Sequence, residues 1–284
     1  MFLNDPNEVI QCVSNILENH DTSNITSDLS QYTELFRSTR ELVADYAQGQ
    51  ALQRLGAGVD IDRFLTDPAY KEGTVLGLAM TNDIEVLDLA RTLAKKYEVS
   101  LWQVNMTHLQ FLFDSELSTK KIESLINDRN LMFNLSNKPV DFFEAMEKYV
   151  LLAIDGKDHE RMILYYSLIE YCDGSSDAGK NALAHIKVLK KLKSAAGNLN
   201  YKLLLETKTD ILSFLQPTLS AANVNALAKV AKSIPASGKS IEPSTVYCAW
   251  LHKYYFQTEA DKRMKTSSDW IHRYVYEILL LNIS

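Results

Sequence analysis

The sequence predicts an all-α protein: an irregular α-solenoid of antiparallel helical hairpins, with a compact multi-helix bundle as the competing architecture. Three observations carry this. Apolar residues recur at three- and four-residue spacing along most of the chain. No alternating apolar–polar run bounded by hairpin turns is found. Glycine (10) and proline (6) are scarce in 284 residues, which disfavours a fold of strands and turns. No fixed period is visible, so a regular tetratricopeptide or ankyrin array is not expected. The reading is one solenoid domain over 1–284, with a sub-boundary at the 173–179 loop.

The clearest hairpin lies between Thr81 and Asp114. Its first helix starts after Thr81 and carries Ile84, Leu87, Ala90, Leu93 and Ala94, with Lys95 and Lys96 in the last turn, where cations complement the helix dipole. Its second starts after Ser100, an N-cap residue type, and carries Trp102, Val104, Met106, Leu109 and Phe113. Trp102, Leu109 and Phe113 are expected in the core, facing Leu87 and Leu93.

Ahead of this hairpin, Asp5-Pro6 places a cap and a first-position proline before a helix running to about Asn19. A longer helix covers about Asp28 to Leu55, with Leu42, Val43 and Tyr46 inward. Asp67-Pro68 repeats the cap-plus-proline signal and opens a helix through Ala79. Gly73 and Gly77 within it signal close approach of a neighbouring backbone, or simply the cost of glycine in a helix.

Behind it, Ser118 caps a helix bearing Ile122 and Ile126. Asn137 and Pro139 open the next, with Val140, Phe142, Met146, Tyr149 and Val150. Asp158 opens another, with Met162, Tyr165, Tyr166 and Ile169. Asp173 to Gly179 holds two glycines, two serines and two aspartates, and reads as a flexible loop. A lysine-rich helix follows over about Lys180 to Ala196. Short helices are expected at 200–206 and 209–215, broken by Pro217, and longer ones at 221–233, 243–257 and 268–282.

The net charge of −6 hides an asymmetry. Residues 1–170 hold 15 Lys/Arg against 27 Asp/Glu, whereas residues 171–284 hold 15 against 9. Two solvated faces explain this plainly; two docking surfaces of opposite sign explain it more sharply, because complementary potential steers association. No stretch is apolar enough to span a membrane, and no secretory signal is visible at the N-terminus. Cys12, Cys172 and Cys248 are odd in number and widely separated, which fits a reducing compartment rather than a disulfide framework.

Chemistry-bearing motifs fail on inspection. His159-Glu160 begins like a zinc-protease motif, but position 163 is Ile, so the second histidine is missing. Ser237-Gly238-Lys239-Ser240 resembles the end of a phosphate loop, but the required glycine position is Ser233 and no strand precedes it. His108, alone in an apolar helix, reads as a hydrogen-bonded core histidine rather than a metal ligand. The expectation is therefore no catalytic residue, no cofactor, no metal and no small-molecule substrate, although a triad assembled from distant residues is invisible in sequence. The candidate partner-binding residues are Lys187, Lys190 and Lys191, which share one helical face opposite Ile186 and Leu189. Without aromatic interleaving, nucleic acid is the weaker partner for that face.

The run Trp102-Gln103-Val104-Asn105-Met106-Thr107-His108-Leu109-Gln110-Phe111-Leu112-Phe113 resembles the neuroblastoma-amplified sequence family, and within it the secretory-pathway Sec thirty-nine domain. Asp158-His159-Glu160-Arg161, Tyr165-Tyr166, Leu189-Lys190-Lys191, Leu199-Asn200-Tyr201, Trp250-Leu251 and Trp270-Ile271-His272 continue the likeness in order. It covers about residues 70–275. The resemblance implies an α-solenoid without catalytic residues, acting as a scaffold in the tethering complex at the endoplasmic reticulum that receives retrograde vesicles from the Golgi. Its implied partners are other tether subunits and the SNARE proteins of that membrane. Its implied location is cytoplasmic, peripheral on the endoplasmic reticulum through those partners. The family's very long protein carries a β-propeller ahead of this domain, which these residues do not. A rival reading is an RNA-associated helical adaptor in mRNA surveillance using the basic C-terminal half.

Overall fold

A computed structural model describes residues 29–56, 58–174, 176–206, 210–235 and 240–254, with side chains from residue 37 onward. The helices expected at 6–19 and 268–282, Cys12, and most of the Ser237–Ser240 motif lie outside them. The described regular structure is entirely helical, as the apolar periodicity predicts. The chain packs as two compact units, Met1–His108 and Leu109–Ser284.

The first unit holds α1 (Leu29–Arg54), α2 (Ile61–Thr66), α3 (Pro68–Leu78), α4 (Ile84–Lys96) and the start of α5 (Leu101–Asp114). Helices α1 to α4 pack on one another in chain order. Their apolar stripes meet in one core: Leu52, Val59, Phe64, Val75, Leu87, Leu93 and Val104 are all buried. Leu42, expected inward, is exposed, because it lies on α1 well before the turn that reaches this core. Helix α2 is too short to show a period and was not anticipated. It is fixed by Asp60, whose side chain accepts from Arg63 N at 3.1 Å.

Asp67 both ends α2 and opens α3, accepting from Ala69 N at 3.0 Å and Tyr70 N at 3.1 Å, with Pro68 in the first turn. Helix α4 is capped by Asp83, not Thr81. The Asp83 carboxylate accepts from Glu85 N at 2.8 Å, while the Thr81 hydroxyl accepts from Asp83 N at 3.0 Å, one step back. Gly73 and Gly77 make no close approach. A Cβ at either would meet nothing within 4 Å, so the glycines face open space and only their helix cost remains. His108 is fully buried, and its Nδ1–H donates to the carbonyl of Ala79 at 2.7 Å, a core histidine as the sequence predicts.

Three distant residues converge on Asp45 of α1. Lys71 Nζ lies 2.6 Å from one carboxylate oxygen, and Lys96 Nζ and the Tyr97 hydroxyl each lie 2.9 Å from the other. Burial raises the Asp45 pKa, but the hydrogen bonds from Lys71, Lys96 and Tyr97 outweigh it and hold the carboxyl below its ordinary value.

The second unit contains α6 (Thr119–Asp128), α7 (Leu131–Leu135), α8 (Pro139–Ala145), α9 (His159–Asp173), α10 (Asp177–Ala195), α11 (Tyr201–Leu205), α12 (Ile211–Leu215), α13 (Val224–Lys232) and α14 (Pro243–His252). Helix α9 packs along α10, α10 on α13, and α13 on α14. After α8 the helix widens into a π turn over Met146–Leu151. The wider turn shifts the apolar phase, so Met146 and Val150 stay buried while Tyr149 turns outward. Val140, on the opposite side of α8 from buried Phe142, is also exposed. Pro217 ends α12 in a 3₁₀ turn, Gln216–Thr218.

Candidate partner-binding surface

The α9–α10 hairpin carries the candidate residues. In the segment from Asp173 to Gly179, which reads as a flexible loop, the described residues are tied by hydrogen bonds of Ser176. Ser176 Oγ donates to Asp173 O at 2.7 Å and accepts from Gly179 N at 3.1 Å, starting α10 almost at once. A Cβ at Gly179 would sit 2.2 Å from Asp173 O, so only glycine fits this close approach. Serine, aspartate and glycine thus act here as helix-terminating and helix-capping groups.

Along α10 the inner face is Ala182, His185, Ile186, Val188, Leu189 and Leu192, all buried. His185 stacks on Tyr166 of α9 with ring centroids 4.3 Å apart and planes 3° from parallel. Its Nδ1 is hydrogen bonded to the Tyr201 hydroxyl at 2.7 Å. Burial drives the His185 pKa down to about 4, so the ring is neutral near pH 7. Sequence reasoning passed over this aromatic cluster, because a histidine with tyrosines 19 residues before it and 16 after it carries no local motif.

Lys187, Lys190 and Lys191 all project from the exposed face of α10. Among the described residues none of the three forms an ion pair within the hairpin. Lys193, on the flank of the same helix, differs: its ammonium is hydrogen bonded to Glu160 at the start of α9. That bond, with Lys120 adding a smaller attraction, holds the Glu160 carboxyl below its usual range. Lys190 and Lys193 are three apart and therefore neighbours on the helix surface.

The row of lysines leads toward an open cleft of about 340 Å³ lined by Ser118, Thr119, Lys157–Arg161, Lys193 and Gly197. Two helices begin there. Ser118 caps α6, accepting from Lys121 N at 3.4 Å, and Asp158 caps α9, accepting from Arg161 N at 2.9 Å. Arg161 turns its guanidinium the other way, donating from Nη1 to Phe113 O (2.8 Å) and Ser115 O (3.1 Å) and from Nη2 to Leu117 O (2.7 Å). It thereby satisfies carbonyls left open where α5 ends.

One sequence expectation is refined. Leu87, Leu93, Leu109 and Phe113 are buried, but Trp102 is only half-buried. It lies in the first turn of α5. Among the described residues no group of three His, Cys, Asp or Glu is placed to hold a metal ion, and no helix is long and apolar enough to cross a membrane.

No protein-family model matches the chain, and no solved structure matches it. A human protein does: the NBAS subunit of the NRZ tethering complex is 39% identical over 282 residues, 96% of this chain. The chain spans 12% of that relative's length. The likeness therefore extends well beyond the Trp102–Phe113 run, and over nearly all of its own length the chain is NBAS-like.

Proposed function

We propose that this chain is a non-enzymatic scaffold segment of a vesicle-tethering complex, holding other tether subunits and SNARE proteins of the endoplasmic reticulum in Golgi-to-ER retrograde transport. The observation that carries the reading is the 39% identity over 96% of the chain to a protein named as a tethering-complex subunit. The structure supports it physically. Helices stacked on their neighbours create long continuous surfaces of the kind used to hold other proteins. Such a segment sits on the cytoplasmic side of the membrane, attached through its partners.

The partner surface on this reading is the exposed face of α10 with Lys187, Lys190 and Lys191, meeting an acidic helical segment of a tether subunit or SNARE. The test is direct binding between the purified chain and purified tether subunits and endoplasmic-reticulum SNAREs, by biolayer interferometry at two salt concentrations. Binding to at least one of them supports the reading, and binding to none overturns it. Preference for RNA, falling steeply with salt, would favour the adaptor reading instead.

A further inference from the structure

We propose that Ser194, in the last turn of α10, is a phosphorylation site that switches the lysine face off. A serine kinase that selects basic sequences sets a phosphate beside Lys187, Lys190 and Lys191. The effect on partner binding rests on the scaffold reading of that face; the modification itself does not.

The first observation is position. Ser194 follows Lys191 by three residues, Lys190 by four and Lys187 by seven, so helical geometry sets all four side chains on one strip. Each of them is exposed. The Ser194 Oγ donates to Lys191 O at 2.8 Å, a bond inside the last turn of its own helix. Helix α10 ends one residue later at Ala195, and exposed Gly197 and Asn198 follow. Helix ends open locally at the least cost. Opening after Leu192, which is fully buried, frees the hydroxyl for a kinase without disturbing the core of the hairpin.

The second observation is the charge pattern, which is independent of the first. Lys190-Lys191-Leu192-Lys193-Ser194 puts cations four, three and one residues ahead of the hydroxyl. The acids nearest to it in sequence are Asp177 and Glu206. Kinases discriminate substrates by such patterns, meeting lysines with acidic pockets and rejecting carboxylates by repulsion. Among the described residues Ser124 is the other serine or threonine with lysines at both the third and fourth positions before it. Glu123 directly precedes Ser124, however, and its hydroxyl donates to Asp128 at 3.0 Å. The carboxylates around Ser124 oppose the pockets that read lysine, whereas nothing of that sign flanks Ser194 on its helix.

In the reaction Ser194 Oγ forms a bond to the γ-phosphorus of a nucleoside triphosphate held by the kinase. The bond from that phosphorus to the β–γ bridging oxygen breaks and the nucleoside diphosphate leaves. The hydroxyl proton passes to a carboxylate base of the kinase. The product carries about −1.5 to −2 charges at neutral pH. Lys190 and Lys191, one turn back on the same strip, pair with its oxygens. They are then closed to an acidic partner, and the phosphate repels that partner's carboxylates.

The experiment uses the full chain, magnesium ATP and two basic-directed enzymes, the cyclic-AMP-dependent protein kinase and protein kinase C, with an acid-directed kinase as control. Peptide mass spectrometry locates the phosphate, which separates Ser194 from Thr266, another residue preceded by basic side chains and outside the described residues. Phosphate is expected at Ser194 with a basic-directed enzyme and not with the control. Fluorescence anisotropy then follows a synthetic helical peptide bearing glutamates at three- and four-residue spacing. At low salt the phosphorylated chain should bind it about tenfold more weakly than the untreated chain, the difference fading as salt rises. Helical circular dichroism should persist, and Ser194→Ala given the same treatment should keep its affinity. Ser194 left unmodified by both basic-directed enzymes overturns the proposal. Phosphate on Ser194 with unchanged peptide affinity, or an equal loss in treated Ser194→Ala, overturns the switch. Where the peptide contrast holds but the untreated chain binds no tether subunit or SNARE, the switch stands and the scaffold reading alone fails.

Discussion

His185 and Tyr201 are hydrogen bonded at 2.7 Å, with their rings edge to face at 5.8 Å, inside the second unit. Sixteen residues separate them in sequence. With Tyr166 stacked on the other side of the imidazole, they tie α9, α10 and α11 together at a buried polar point.

Stability should therefore fall as pH falls through the histidine range. The folded pKa is about 4 against an ordinary 6.5, so the unfolded chain binds the extra proton first. The sign is fixed: folding is fully favoured above pH 6.5 and is penalised progressively between 6.5 and 4, by up to about 3 kcal/mol. Urea denaturation at pH 7.5 and 5.0 measures the difference. In His185→Phe the pH-dependent part should shrink markedly; an unchanged dependence would mean other groups produce it.

Asp45 gathers Lys71, Lys96 and Tyr97, and its side chain is only 13% exposed. Asp45→Ala leaves partly buried donors facing no acceptor, at a cost of about 2 kcal/mol. The depressed carboxyl pKa implies stability present above its ordinary pKa of 3.8 and lost as pH falls through the lower folded value. Thermal melts of wild type and variant should differ at pH 7 and converge in strong acid.

In α5 the ranking of truncations should follow burial rather than size. Leu109 is fully buried and Trp102 is not. Leu109→Ala should cost about 2–5 kcal/mol, and Trp102→Ala less, despite the larger side chain removed. Chemical denaturation of the two variants decides it. A larger loss at Trp102 would show that its remaining contacts outweigh its exposure.

The fold class was legible because helix periodicity and caps are local signals. Asp67-Pro68, Ser118, Asp158 and Asn200 each sit where a helix begins. What escaped was set by tertiary context. Six residues are too few for α2 to display a period. The π turn after Ala145 moves Tyr149 out of a stripe that ideal spacing keeps inward. The close approach expected of Gly73 is found instead at Gly179: Gly73 faces open space, and Gly179 sits against the Asp173 carbonyl. The exposed lysines of α10 were readable from helical phase alone. The cleft beside them was not, since residues 118, 157–161, 193 and 197 meet only after folding.

The lysines offer the last prediction. Lys187, Lys190 and Lys191 are exposed and close in register on one helix, while Lys193 is already engaged with Glu160. Free cations at the rim of an interface act mainly through the approach of the partner, raising the association rate at low salt. Reversing all three to Glu changes the face by six charges without touching buried Ile186, Val188, Leu189 or Leu192, so the helix and its packing should persist. Association with an acidic tether partner should slow by at least about tenfold at low ionic strength, with dissociation much less altered and the difference fading as salt screens it. Stopped-flow kinetics across a salt series reads both rates. An unchanged association rate at low salt would make the row a solvated face. A change confined to dissociation would place the lysines inside the packed interface rather than at its edge.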